Sequence, residues 1–172
     1  VFITHDINEA FKLGDRVAVM KDGKIEQIGT PEEILANPAN DYIRDFIQDI
    51  DRTKVLQAKN IMFMPSALVF LKDGPQVASN EMKKNGISSV FVIDNRRVLQ
   101  GLVTIDDTVR AVKEKKTLAE ILSHDFYTTD PDTCIQELIP KATESRYPIA
   151  VVDGDNRLLG IIVRASVLSS LI

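Results

Sequence analysis

Thr104 and Asp107 stand three residues apart, where the apolar run LQGLV gives way to a helical pattern. A carboxylate in that place can accept both hydroxyls of a ribose. A hydroxyl at a helix start can reach a phosphate together with free backbone N–H groups. The same pair also reads as a helix cap, with Thr104 as N-cap and Asp106 and Asp107 favouring the helix dipole; the two uses are compatible. Ile87 and Ser88 precede the next apolar run upstream and are candidate neighbours of such a site. His5 closes the run VFIT, a strand end of the kind where open α/β sheets bind ligands, or else a purely structural histidine. Arg110, Lys113, Lys115 and Lys116 form a basic cluster interrupted by Glu114. At an anionic membrane each such cation is worth ~1 kcal/mol, screened by salt; on a solvated helix end the same residues simply complement the dipole.

The remaining reactive side chains suggest less. Cys134 lies near an expected helix start, where a thiolate is favoured, but has no second cysteine to pair with. His124 beside Asp125 reads as surface loop, and Met62, Met64 and Met82 read as core. No cluster has metal-ligand spacing and no catalytic triad is suggested, so neither a metal nor catalysis is expected of this chain.

The elements that must position these residues fall into two parts. In the first, VFIT reads as a buried strand, and Asp6-Ile-Asn-Glu9 has capping-box spacing ahead of a helix. RVAVM and KIEQIG flank Asp22-Gly23 as a hairpin. Pro31 follows Thr30 at a helix start, and a further helix covers about Tyr42 to Ile47. One strand, a helix and a hairpin cannot bury both faces of a sheet, so residues 1–50 read as the remnant of a larger domain, and the chain as a piece of a longer protein. Residues 51–58 are charged and weakly periodic and read as a linker.

From residue 59 the chain repeats itself. VFVID (Val90–Asp94) matches IAVVD (Ile149–Asp153), and each aspartate is followed at the same spacing by a glycine, Gly101 or Gly160. Helical stretches lie at Pro75 to Asn85 and Ile105 to Lys115, and again at Asp132 to Ser145, where Pro140 should kink the helix, and Arg164 to Ile172. Two β-α-β-β-α units, residues 59–117 and 118–172, are expected, packed sheet to sheet in an α/β (α+β) domain. The second unit departs from the first: Val163 and Ser166 stand where Thr104 and Asp107 do, with Arg164 as a cation that can attract phosphate. Tyr147 and Pro148 are the counterparts of the pre-strand residues, and the Tyr147 ring can stack on a base or fill the core.

The chain has 172 residues, 44% of them hydrophobic, which is enough to bury a real core. With 21 Lys+Arg against 25 Asp+Glu, net basicity does not point to nucleic acid. One cysteine fits a reducing compartment, and no apolar run approaches the ~20 residues of a membrane span.

The tandem pattern in VFVIDNRRVLQGLVTIDD and IAVVDGDNRLLGIIVRAS resembles the CBS domain, which usually occurs in pairs and often binds adenine nucleotides. The resemblance implies ribose and phosphate contacts for Thr104 and Asp107. ITHD, LGDRVAVMKDGKIEQIGTPEEI and the following Pro-x-x-x-Tyr resemble the end of an ABC-transporter ATPase domain. The whole arrangement resembles the ATP-binding subunit of glycine betaine/proline (quaternary amine) importers. That likeness implies a switch histidine in His5, with ATP and Mg in the intact subunit. It further implies a homodimer through the CBS domains, a permease partner and a place on the inner, cytoplasmic face of the cell membrane. It also implies an ionic-strength role for Arg110, Lys113, Lys115 and Lys116. The phosphate-loop motif G-x-x-x-x-G-K-[ST] does not occur in the chain, so the expected role is regulatory, through AMP, ATP, a cyclic dinucleotide or salt. The rival expectations are a ligand-free dimerisation module and a working ATPase.

Overall fold

The computed structural model describes residues 1–171. Its first part contains α1 (Ile7–Leu13), the hairpin β1 (Val17–Lys21) and β2 (Lys24–Gly29), α2 (Pro31–Ala36) and α3 (Asp41–Phe46). Asp6 caps α1 by accepting from the Asn8 and Glu9 amides, but Glu9 turns to the Thr4 hydroxyl, so only half of the expected capping box forms. At α2 the box is complete: Thr30 and Glu33 satisfy each other's backbone N–H. Phe11, Val19, Ile34, Leu35, Ile43, Ile47 and Ile50 pack into a small core of their own. The expected strand at VFIT does not form. Val1, Phe2 and Ile3 are exposed, because the only sheet in this part is the two-stranded hairpin and no neighbour offers its backbone to them. His5 is therefore exposed at the end of an irregular segment rather than at a strand end.

Two single helical turns, α4 (Arg52–Val55) and α5 (Ala58–Ile61), follow where a linker was expected. The two repeats come next. Repeat one has β3 (Val69–Phe70), α6 (Pro75–Asn85), β4 (Ser89–Ile93), β5 (Leu99–Thr104) and α7 (Ile105–Glu114). A 3-10 turn at Ala119–Ile121 leads into repeat two: β6 (Thr128–Thr129), α8 (Ile135–Glu144), β7 (Ile149–Val152), β8 (Leu158–Ile162) and α9 (Arg164–Ser169). Pro140 lies inside α8. Each repeat builds a three-stranded sheet, β3-β4-β5 or β6-β7-β8, whose first pair is parallel and second antiparallel.

Both antiparallel pairs carry a bulge at the same place, between Val92 and Ile93 and between Val151 and Val152. Both turns are built alike. Asp94 accepts from the Arg96 and Val98 amides at 2.8 and 2.9 Å, and Asp153 accepts from the Asp155 and Arg157 amides at 3.0 and 2.9 Å. Arg97 and Asn156 take left-handed φ values of 66° and 58° in the two turns.

The two sheets close on one apolar layer of Phe91, Ile93, Leu99, Leu102, Ala150, Leu158 and Ile161. Its edge is tied by reciprocal bonds, Leu99 N–H to Asn156 O and Leu158 N–H to Arg97 O, both 2.9 Å. On the outer side of each sheet the segment preceding the other repeat completes the core. Ala58, Ile61 and Met62 pack with repeat two, and Leu118, Ile121 and Leu122 pack with repeat one. Phe63 pairs with Ile161 of β8, and Ser123 with Leu102 of β5. The repeat glycines make this exchange possible: a Cβ on Gly101 would meet the Ser123 carbonyl at 3.0 Å, and one on Gly160 the Phe63 carbonyl at 3.1 Å.

One position in repeat two breaks the apolar pattern. Val69 pairs with Val92 and is wholly buried; Thr129, which pairs with Val151, is buried too, and its hydroxyl has no partner among the described residues. Replacing Thr129 by the isosteric valine is expected to raise stability by about 1 kcal/mol, since an orphaned buried hydroxyl is removed and its methyl packing kept. Urea unfolding would show a higher midpoint at unchanged slope.

Candidate functional site

The strand–helix junction of repeat one gathers most of the predicted binding residues. Thr104 ends β5 and N-caps α7; its Oγ1 accepts from the Asp107 amide at 3.2 Å and donates to Asp107 Oδ2 at 2.6 Å. Ser88 lies beside it, because Ser89 pairs with Thr104 and the Ser88 carbonyl accepts the Ile105 amide at 2.9 Å. Neither Thr104 nor Ser88 takes the Asp106 amide, which stays at the helix start with the dipole behind it. Ile87 is half-buried against the helix-side core of the repeat.

Arg110 joins this group. Its Nη2 donates to Asp107 Oδ1 at 3.2 Å, so the carboxylate is held between a hydroxyl and a guanidinium and stays about a third exposed. The i, i+3 spacing of Asp107 and Arg110 was the signal for this contact, and grouping Arg110 with the lysines alone overlooked it. The basic cluster is correspondingly divided. Lys116 pairs with Glu114 at 2.6 Å and holds that carboxyl below its ordinary range by the hydrogen bond. Among the described residues Lys113 and Lys115 form no ion pair, and Lys115 closes α7 in a left-handed conformation at φ 56°.

Repeat two uses the corresponding junction differently. Val163 caps α9 with no side-chain bond. Arg164 turns back onto the end of α8, donating to the carbonyls of Ala142 at 3.0 Å and Thr143 at 2.8 Å. The guanidinium thereby complements the negative end of that helix. Tyr147 packs on the layer between the sheets, its backbone fixed by the Ser145 hydroxyl.

A cleft of about 1260 Å³ lies elsewhere, between the first part of the chain and repeat two, with Asp15, Glu32, Lys54, Lys59 and Cys134 on its walls. None of the residues predicted to bind a nucleotide lines it. Among the described residues no group of three or more His, Cys, Asp or Glu is placed to hold a metal, and no helix is long and apolar enough to cross a membrane.

With this geometry in view, comparison with known proteins places the repeats. The family model for the CBS domain matches residues 58–114 and again 118–172. The glycine betaine/carnitine transport ATP-binding protein GbuA of Listeria monocytogenes is 46% identical over 172 residues, covering 99% of this chain and 43% of the relative. The glycine betaine transport ATP-binding protein OpuAA of Bacillus subtilis is 42% identical, covering 99% of this chain and 41% of the relative. The chain thus spans less than half the length of these curated relatives. Among solved structures, Staphylococcus aureus OpuCA superposes with a TM-score of 0.58 at 24% identity, over 63% of this chain and 93% of that one. CBSX2 in complex with AMP superposes with a TM-score of 0.57 at 18% identity, over 66% of this chain and 94% of that one. At these identities the structures speak for the fold.

Proposed function

The chain belongs to the CBS domain family, and on that premise we propose that it is the regulatory module of an osmoprotectant importer's ATPase subunit, binding an adenine nucleotide at the start of α7. The observation that carries the transporter assignment is the similarity to glycine betaine transport ATP-binding proteins along 99% of the chain, including the part outside the repeats. Residues 1–50 are then the end of the ATP-hydrolysing domain, with His5 part of its switch region in the intact subunit. Residues 59–117 and 118–172 form the sensor, which gates transport through its differential affinity for the active and inhibited states. Such a subunit sits at the cytoplasmic face of the membrane with a permease partner and pairs with a second copy.

Within the sensor, Asp107 accepts the ribose hydroxyls. Thr104 and the Asp106 amide face the phosphate, with Arg110 supplying the compensating charge that two adjacent carboxylates require. Known CBS pairs support this ligand class, since CBSX2 has been solved with AMP and the MJ0100 pair with 5'-methylthioadenosine and S-adenosylmethionine. Titration calorimetry of the chain against AMP, ATP and cyclic adenine dinucleotides tests the reading. Saturable binding by at least one is expected. Silence across the panel would leave the closed Thr104–Asp107–Arg110 network as a helix cap and the module as a structural dimerisation unit.

A salt-switched membrane contact through Lys113 and Lys115 is the second regulatory route, favoured by their lying outside ion pairs. It predicts that vesicle association needs anionic lipid, weakens as salt rises and is lost when both lysines are replaced by glutamine.

A further inference from the structure

The exchange of segments between the repeats gives the first part of the chain a physical connection to one repeat in particular. We infer that residues 54–63 act as a strap that couples the N-terminal lobe (residues 1–50) to the core of repeat two, while the lobe core takes no side chain of repeat one. This inference concerns the chain's own mechanics and stands whether or not a nucleotide binds.

The strap begins inside the lobe. Val55 packs on the lobe core, and Leu56 packs both there and on the core of repeat two. It then runs along the start of α8 through backbone bonds: Ile135 N–H to Leu56 O at 2.9 Å, Ala58 N–H to Thr133 O at 2.8 Å, and Lys59 N–H to Pro131 O at 2.9 Å. Cys134 Sγ reaches the Lys54 carbonyl at 3.6 Å. Lys59 Nζ meets Asp132 at 2.7 Å, a hydrogen bond that raises the lysine pKa, and Glu32 of α2 adds its field from the lobe side. The strap ends with Phe63 exchanging both backbone bonds with Ile161 of β8, at 3.1 and 2.9 Å, in the space left by Gly160.

The equivalent segment of the second unit, ending at Ser123, makes the same exchange with Leu102 of β5 and packs on the core of repeat one. A shift of α8 or β8 is therefore passed directly to Leu56 and the lobe core, whereas a shift of β5 is passed to the 3-10 turn and reaches β8 only across the shared apolar layer. Backbone bonds and a shared side chain transmit such a displacement because close-packed interiors do not absorb it.

The pseudo-symmetry supplies its own control. Gly160→Ala and Gly101→Ala each push a Cβ against a crossing carbonyl at nearly the same distance, 3.1 and 3.0 Å. Hydrogen exchange of the full chain, followed by mass spectrometry, reads the result by segment. In Gly160→Ala, exchange in α2 and α3 is expected to rise about tenfold together with repeat two. In Gly101→Ala, repeat one loses protection while the rise in α2 and α3 is expected to be clearly smaller, because the disturbance reaches the lobe only across the shared layer. Equal loss in the lobe for both variants, or none for Gly160→Ala, overturns the strap. Should Gly160→Ala fail to fold, Asp132→Ala removes only the Lys59 pair at the surface; it is expected to raise lobe exchange in the same direction by about twofold, and an unchanged lobe would overturn the inference equally.

Discussion

Leu102→Ala is expected to lower the stability of the whole pair by about 2–5 kcal/mol, with both repeats unfolding in one transition at a lower midpoint. Leu102 is fully buried between the sheets beside Phe91, Leu158 and Ile161. Its amide and carbonyl are both bonded to Ser123, so the strand cannot slide inward to close the cavity. A loss of that size is a large part of the ~5–15 kcal/mol that a domain commands. The single transition follows from the layer being common property: neither repeat, at under 60 residues, has a core large enough to persist comfortably once the layer is spoiled. Leu168→Ala is the control. That side chain on α9 is 56% exposed, and its truncation should change stability by less than about 0.5 kcal/mol. Two resolved transitions in Leu102→Ala, seen by urea unfolding with probes in each repeat, would mean that the repeats are independent units.

What could be read in advance and what could not divide along a physical line. The strand–turn–strand blocks were legible because they are local: an apolar run, an aspartate whose carboxylate organises the turn, and a glycine at fixed spacing recur in both halves, and the sheets they form have matching bulges. Thr104 as helix cap was legible for the same reason. The exchange of segments was not, because nothing local says that Ala58 completes the core of a repeat whose strands lie about a hundred residues further on. Charged neighbours such as Asp51, Arg52 and Lys54 made that stretch look like a spacer, although its apolar residues Val55, Leu56 and Ala58 are the ones that pack. VFIT misled in the opposite way. Its composition suits a strand, but a strand exists only where a second backbone takes its hydrogen bonds, and the hairpin does not extend to it. Arg164 was read for its charge, whereas its partners, the Ala142 and Thr143 carbonyls, are visible only once α8 and α9 are packed together.

The largest effect on ligand recognition is expected from Asp107→Ala, with adenine-nucleotide affinity falling by a factor of about 10²–10⁴. Two charge-assisted hydrogen bonds from ribose hydroxyls to one carboxylate are each worth about 1.5–3 kcal/mol, and alanine removes both. The substitution also removes the acceptor of the Thr104 hydroxyl and the partner of Arg110, so a structural cost must be separated from the binding loss. That cost is small. Thr104 can still accept from the backbone amide at position 107, and the exposed Arg110 pair contributes at most about 1 kcal/mol. A drop in affinity with stability lowered by no more than about 1 kcal/mol therefore identifies a binding carboxylate. Thr104→Ala inverts the balance: it strips the N-cap from α7 and should cost about 1 kcal/mol of stability, but leaves the carboxylate that grips the ribose. If Asp107→Ala and Thr104→Ala behaved alike, both destabilised and both binding like the parent chain, the junction would be a cap alone and the nucleotide would have to be sought elsewhere.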